Sequence, residues 1–220
     1  MGERRYGQFC PVARALDLLG ERWTLLIARE LLVGPQRYSD LLEHLPGMWS
    51  NLLGRRLRAL EAAGLVRRRR LPPPAARTVY ELTDRGQALE PAVYELSRFG
   101  LDLLDGPGGD VVPWHLLPLG LKSLLRVEAL PDHALSIALV LDEGAWTLRI
   151  AEEQAGQREL ARVRVTPDAE PDADVTVRGS ALALLGRRRG QDAGATGPLA
   201  VEGAPAHVAV VESLFAAGPG

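Results

Sequence analysis

The sequence predicts an α+β fold in two domains, and three observations support this prediction. In the N-terminal half, apolar side chains recur every three to four positions, which is the period of amphipathic helices. Farther along, apolar and polar side chains alternate, as in half-buried strands. Between them, the segment DGPGGDVVP has neither period. We therefore expect domains over residues 1–105 and 114–220, joined by a linker over residues 106–113.

The two halves differ in charge. Residues 1–100 contain 16 basic and 11 acidic side chains, whereas residues 101–220 contain 10 basic and 17 acidic ones. Lys122 is the only lysine, so most cationic groups are the guanidinium forks that suit phosphate and guanine. The charge balance favours a nucleic-acid partner for the first half and repulsion from it for the second.

The first half predicts four helices and a hairpin. An apolar stripe from Val12 to Leu19 forms the first helix, and residues 23–31 form the second, which Gly34 closes. Ser39 is expected to cap a short third helix with Asp40 at its positive end. Pro46 and Gly47 then make a tight turn.

The fourth helix is predicted from Asn51 to Ala63, with Ser50 as its N-cap and Gly64 as its stop. Its apolar stripe is Leu52, Leu53, Leu57 and Leu60, and we expect Arg55, Arg56 and Arg58 to lie off that stripe. At about 20 Å, such a helix fits a DNA major groove about 12 Å wide. Two helices joined by a tight turn predict a helix-turn-helix.

Arginines continue beyond the helix into a predicted hairpin. Residues 65–70 and 77–82 have strand character, and Pro72 to Pro74 separate them. A charge run alone is usually a solvated surface, but a hairpin directly after such a helix is typical of a DNA-binding wing. The candidate DNA contacts are Ser39, Ser50, Asn51, Arg55, Arg56, Arg58, Arg67, Arg68, Arg69, Arg70 and Arg77.

Residues 8–104 resemble the HxlR family of winged helix-turn-helix transcriptional regulators, which are relatives of the MarR group. The motifs that carry the resemblance, in chain order, are Cys10-Pro11, RYSDLLEHLPG, NLL with RLRALE, GLV and YELT. The resemblance implies a homodimer on double-stranded DNA, joined through the first and last helices of the domain. Dimers of this kind place recognition helices about 34 Å apart or a multiple of that, so the implied operator is an inverted repeat.

Two residues depart from the family pattern. Gly54 stands inside the predicted recognition helix, where glycine costs about 1 kcal/mol relative to alanine. Trp49 is larger than expected and either covers the turn or faces DNA, and we favour packing because large aromatic side chains are mostly buried.

A later helix carries the stripe Leu89, Val93, Leu96 and Phe99, with a kink expected at Pro91. It is either a dimerisation element, as the resemblance implies, or an ordinary core helix.

The second half predicts four strands, over residues 135–141, 145–151, 161–165 and 175–178. One wet face suggests an antiparallel sheet, and two helices, over residues 179–188 and 205–215, are expected to cover the dry face. In the first helix we expect Leu182 and Leu185 to point inward.

This half is similar to the sterol-carrier-protein-like fold, chiefly in DADVTVRGSALALLGRRRG and GPLAVEGAPAHVAVVESLF. The resemblance implies an apolar cavity for a hydrophobic small-molecule effector, and a filled core is the equal alternative. The candidate ligand contacts are Trp114, Leu139, Trp146, Leu148, Val177, Leu182, Leu185 and Phe215.

Catalysis is not expected. The four histidines are scattered, and the sequence has no nucleophile elbow, phosphate loop or zinc-ligand cluster, so we predict neither an enzyme nor a metal or other cofactor. A signal peptide and an apolar run near 18 residues are also missing from the sequence, so we expect a cytoplasmic protein with no membrane partner.

Two alternatives remain open for function. Cys10, the only cysteine, is either a redox-responsive thiol or a small buried hydrophobe. The chain as a whole is alternatively a hydrophobic-ligand carrier that binds DNA only weakly.

Overall fold

The computed structural model describes residues 5–104, 110–155, 159–191 and 193–217, so part of the predicted linker lies outside the described residues. The chain divides into two compact units, Met1–Glu95 and Leu96–Gly220. Helices dominate the first unit and a sheet with helices makes up the second, so the predicted α+β class is confirmed. Within the described ranges, no helix is both long enough and apolar enough to cross a bilayer.

The first unit contains the predicted helices in the predicted order. Their apolar faces meet in one core, in which Ile27, Leu41, Leu53 and Leu57 are almost fully buried. The four helices are α1 (Pro11–Leu19), α2 (Thr24–Leu32), α3 (Tyr38–His44) and α4 (Ser50–Ala62).

Both predicted serine caps are wrong. Helix α3 begins one residue before Ser39, and Arg37 occupies its N-cap position. Asp40 supplies the cap instead, because its carboxylate accepts the backbone N–H of Arg37 at 3.0 Å. Helix α4 begins at Ser50, and its N-cap residue is Trp49, which makes no side-chain cap. The predicted stop at Gly64 is consistent with its positive φ of 68°.

The predicted hairpin follows directly. Strands β1 (Val66–Arg70) and β2 (Thr78–Leu82) pair antiparallel, with Arg68 opposite Tyr80. A short helix α5 (Asp84–Gln87) leads into α6 (Glu90–Leu101), the helix across which the two units divide. Pro91 lies in the first turn of α6, where its missing N–H breaks no helical hydrogen bond, so the structure gives no basis for the expected kink.

The second unit is built on a five-stranded sheet with strand order β5-β4-β3-β6-β7. The neighbouring strands β3 and β6 run parallel and the other pairs antiparallel, so the sheet is mixed. Its strands are β3 (Leu135–Leu141), β4 (Gly144–Ile150), β5 (Val163–Pro167), β6 (Val175–Gly179) and β7 (Ala200–Gly203).

The purely antiparallel prediction was therefore wrong, and β7 was missed. Alternation in a sequence reports that one face of a strand is wet, but it carries no information on strand direction. Strand β7 has four mostly exposed residues, which are too few to establish a period.

The two predicted helices cover one face of this sheet, and a third helix that was not predicted, Leu117–Leu124, packs in the same core. Val211, Leu214 and Phe215, at the end of the chain's last helix, are buried in the second core. Leu182 was expected to point inward but is 37% exposed, because neighbouring Ala181 and Leu184 occupy the packed face. The helices of this unit are α7 (Leu117–Leu124), α8 (Ala181–Arg188), α9 (Ala193–Thr196) and α10 (Pro205–Leu214).

Candidate nucleic-acid interface

Helix α4 is fixed at its start by a tie to α3. The Tyr38 hydroxyl donates to the backbone C=O of Ser50 and lies 3.0 Å from the Ser50 hydroxyl. Ser50, predicted as a DNA contact, thus has its side chain beside Tyr38 on the exposed surface. Leu53, Leu57 and Leu60 anchor the helix in the core along its other face. The hydrogen bond to α3 and the buried leucines hold α4 in place, and the opposite side of the helix faces solvent.

The exposed side of α4 carries three of the predicted DNA contacts. Asn51, Arg55 and Arg58 are four and three positions apart, so they line one stripe of the helix, and all three are exposed. In the described part of the chain, neither arginine has a carboxylate within ion-pair distance. The stripe therefore presents one amide and two uncompensated guanidinium groups to solvent.

Arg56 occupies a different environment. Its side chain is only 16% exposed, and its Nη2 lies 2.5 Å from Oε2 of Glu21. The prediction that Arg56 lies off the apolar stripe was wrong, because it is four residues from both Leu52 and Leu60 and shares their side of the helix. That spacing was readable in the sequence. Arg56 links α4 to the segment before α2 and is turned away from the exposed stripe.

The arginines of β1 are divided between two faces of the hairpin. Arg67 and Arg69 donate to the two carboxylate oxygens of Glu81, at 2.7 and 2.8 Å. These hydrogen bonds, from Arg67 first and then Arg69, hold the pKa of Glu81 below its usual range. Arg68 and Arg70 project from the opposite face because strand side chains alternate, and both are exposed. Glu81 is not among the predicted site residues, although the period-two pattern of β2 would have indicated it.

Two further predicted contacts lie at the edges of this surface. Arg77 is exposed where the hairpin returns, and its C=O accepts the N–H of Leu71 at 2.7 Å. Ser39 is exposed on α3, but its hydroxyl is directed to Oδ1 of Asp40 at 3.3 Å. The Arg37 guanidinium also binds Asp40, and this hydrogen bond lowers the pKa of the Asp40 carboxyl. Ser39 therefore lies beside a local ion pair at the start of α3.

Trp49 is exposed at the start of α4. Its exposed fraction is 77%, whereas its neighbour Met48 is buried. The interpretation that Trp49 packs over the turn was wrong, since Met48 points into the core and leaves the adjacent side chain in solvent.

The predicted ligand contacts separate into two groups. Leu139, Leu148, Val177 and Phe215 are buried in the second core, and Trp146 and Leu185 pack against its edge, whereas Trp114 and Leu182 are exposed. An open groove of about 480 Å³ in this unit has none of them in its lining. Its walls are formed by Arg126, Glu128, Ala129, Ala209, Val210 and Ser213.

Cys10, in the first unit, is a free and half-buried thiol at the N-cap position of α1.

Comparisons with known proteins point to one family. The profile of the HxlR-like helix-turn-helix family matches residues 18–106. The regulator YvaP of Bacillus subtilis is 38% identical over 99 residues, which cover 44% of this chain and 92% of YvaP. YodB of the same organism is 36% identical over 103 residues, covering 46% and 91%. Both relatives are named as HTH-type transcriptional regulators.

A third relative gives the same picture, and one solved structure is also similar to this chain. The Synechocystis regulator sll1512 is 37% identical over 99 residues, covering 45% of this chain and 73% of that protein. The crystal structure of a putative MarR-family regulator from Porphyromonas gingivalis aligns with a TM-score of 0.42 and 29% identity, over 46% of this chain and 99% of that one. The family match ends at residue 106, so it does not identify the sheet of the second unit.

Proposed function

This chain belongs to the HxlR-like helix-turn-helix family of transcriptional regulators, and from this premise we propose that it binds an inverted-repeat DNA operator as a homodimer. The observation that carries the proposal is the exposed stripe of α4, on which Asn51, Arg55 and Arg58 have no carboxylate partner among the residues that the structure describes. An amide and guanidinium forks are the groups that pair with adenine and guanine edges in the major groove.

We assign phosphate contacts to the hairpin. Arg68, Arg70 and Arg77 are exposed, and within the described ranges no ion pair engages them. Arg67 and Arg69 support these phosphate contacts indirectly. Their ion pairs with Glu81 link the two strands and so hold the hairpin that carries Arg68 and Arg70. Phosphate contacts position a protein on the duplex without reading sequence, so the hairpin supplies affinity and α4 supplies choice of site.

Exposed apolar side chains support the homodimer. On and before α1, Phe9 is fully exposed, Val12 is 66% exposed and Leu16 is 42% exposed. On α6, Leu96 is 52% exposed and Phe99 is 74% exposed. Apolar surface of this kind on the first and last helices of a helix-turn-helix domain suits burial against a second copy.

For the second unit we propose an effector role, in which a hydrophobic small molecule changes operator affinity. Its sheet with helices on one face is compatible with the sterol-carrier-like resemblance, which stays a prediction. The open groove beside α10 combines Ala129, Ala209 and Val210 with the Arg126–Glu128 ion pair and is the candidate binding place. An effector acts only through a difference in affinity between two states of the regulator, so operator affinity is the quantity to measure.

A redox-responsive thiol is the second candidate for regulation. Cys10 is half-buried and lies between the exposed Phe9 and Val12, inside the surface that we assign to the dimer. Oxidation there would act on the interface. Peroxide should then release operator from the wild type but not from Cys10→Ser, and equal release from both would rule out the thiol.

The experiment that tests the proposed function is selection of bound fragments from genomic DNA, followed by salt titration of the best fragment. A regulator should enrich one inverted repeat. The logarithm of its affinity should fall linearly with the logarithm of the salt concentration, with a slope proportional to the number of phosphates contacted. A ligand carrier with weak DNA binding would show the salt dependence without enriching any sequence. Repeating the titration with a panel of apolar ligands tests the effector, and unchanged affinity across the panel would contradict it.

A further inference from the structure

Trp49 is a large, solvent-exposed aromatic side chain at the N-cap of α4, the helix that carries the proposed reading stripe. It is 77% exposed and belongs to neither of the two buried apolar clusters of the described residues. Tryptophan contributes to stability mainly by burial, and at this position it contributes little of that kind. The feature is therefore unexplained by the fold of the chain alone.

The backbone beneath this side chain is well ordered by hydrogen bonds. The C=O of Trp49 accepts the N–H groups of Leu52 and Leu53, both at 3.0 Å. The next residue, Ser50, is bound to the Tyr38 hydroxyl of α3. The indole is thus presented by a fixed helix start rather than by a loose loop, which is what recognition of a partner by one side chain requires.

Resting on the proposed function, we propose that Trp49 contacts a thymine methyl group in the major groove, at the N-terminal end of the helix whose Asn51 and Arg55 read base edges. Recognition helices contact bases chiefly with the residues at their N-terminal end, where Trp49 stands. The methyl group of thymine is the apolar feature of the major groove, and an indole face is complementary to it. The contact would favour thymine at one position of each half-site.

The surroundings of Trp49 favour DNA over a protein partner. The first turn of α4 contains no acidic residue, and the two residues that follow Trp49 in the chain, Ser50 and Asn51, are exposed and polar. Protein interfaces usually surround a buried aromatic anchor with further apolar surface, whereas the exposed residues that follow this indole are polar. A polyanion with an apolar group in its groove fits this combination.

Replacing each thymine of the selected operator by uracil tests the contact, because uracil keeps base pairing but lacks the methyl group. For the wild type, one thymine per half-site should matter, with affinity falling about fourfold when its methyl group is removed. Trp49→Ala removes the indole from both subunits, so it should bind the intact operator about as weakly as the wild type binds a duplex with uracil at that position in both half-sites, and it should be insensitive to the replacement. Trp49→Phe should retain part of the effect.

Tyr6→Ala is the matched control, since Tyr6 is another exposed aromatic side chain of the first unit, and it should keep the full response to uracil. Circular dichroism melting establishes that each variant is folded. If the wild type enriches an operator but ignores every uracil, or if Trp49→Ala responds as the wild type does, the thymine contact is wrong while the proposed function stands. If the wild type enriches no operator, the proposed function itself has failed and this contact fails with it.

Discussion

At the scale of single residues, neighbouring arginines of α4 have different tasks. Arg55 is exposed without an ion pair in the described ranges, whereas Arg56 is bound to Glu21 and largely covered. The positions are adjacent in sequence, but one helical step of about 100° separates a solvent-facing side chain from one on the buried flank. In the wing, Arg67 is bound to Glu81 although its side chain is 65% exposed, whereas Arg68 has no ion pair in the described ranges.

We predict opposite outcomes for Arg55→Ala and Arg56→Ala. Loss of a guanidinium–guanine pair should lower operator affinity by about 1–3 kcal/mol in Arg55→Ala and leave the melting temperature unchanged. Arg56→Ala should change affinity little and reduce the free energy of unfolding by up to about 1 kcal/mol. Binding isotherms and thermal melts check both. Glu21→Gln should reproduce the Arg56 result, and loss of recognition in Arg56→Ala with wild-type stability would contradict the assignment.

Glu81 makes the stability of the first unit depend on pH. Because Arg67 and Arg69 lower the pKa of Glu81 in the folded state, its contribution is fully present above the ordinary value of 4.5 and is lost as pH falls through the folded-state pKa. Glu81→Gln should therefore be less stable than the wild type near neutrality, with the difference shrinking in acid. Urea unfolding at several pH values measures this. A difference that is constant with pH would be inconsistent with the paired carboxylate.

At the scale of elements, the apolar periods of the sequence predict helices and strands well, but they predict the relative direction of neighbouring strands poorly. Helices α1, α2 and α4 were predicted because each repeats apolar residues at about 3.6 positions. The parallel pairing of β3 with β6 depends on how the chain returns across the sheet, which no local pattern records. The exposed surface of α4 was partly predictable. Helical spacing identifies the stripe of Asn51, Arg55 and Arg58. The exposure of Trp49 was not predictable in this way, because it follows from Met48 taking the core position.

The substitution Gly54→Ala tests how α4, the proposed recognition helix, is packed. A Cβ at Gly54 would lie 3.5 Å from the Tyr38 hydroxyl and 3.6 Å from Nη1 of Arg58, which are ordinary contact distances. Gly54→Ala should therefore stabilise α4, raising the free energy of unfolding by about 0.5–1 kcal/mol. Gly86→Ala is the control, since a Cβ there would meet the C=O of Leu65 at 2.1 Å and should destabilise the protein. Denaturant titration measures both, and destabilisation by Gly54→Ala would mean that α4 is packed differently.

At the scale of the whole molecule, the chain contains a basic helical unit and an acidic unit built on a sheet. The net charge of −2 conceals this asymmetry, which favours DNA contact by the first unit alone. The proposed dimer adds the requirement that two copies of α4 act together. Affinity and site spacing are then properties of the assembly rather than of one chain.

We predict that Phe99→Glu disrupts the assembly. Phe99 is 74% exposed on α6, and a carboxylate there would be buried without a partner in a dimer. Light scattering should give about twice the chain mass of 23.8 kDa for the wild type and a value near the chain mass for Phe99→Glu. Val111→Glu, at another exposed apolar side chain, should stay dimeric. A monomeric wild type, or an unchanged Phe99→Glu mass, would contradict the proposed interface.

The central claim is that the exposed stripe of α4 chooses the DNA sequence, and parallel fragment selection with the wild type and with the variant lacking the side chains of Asn51, Arg55 and Arg58 tests it most directly. We expect the wild type to enrich one inverted repeat whose half-sites lie about 34 Å apart or a multiple of that. The triple alanine variant should lose this preference while keeping salt-dependent binding through the hairpin arginines. Enrichment of the same repeat by both proteins would contradict the claim.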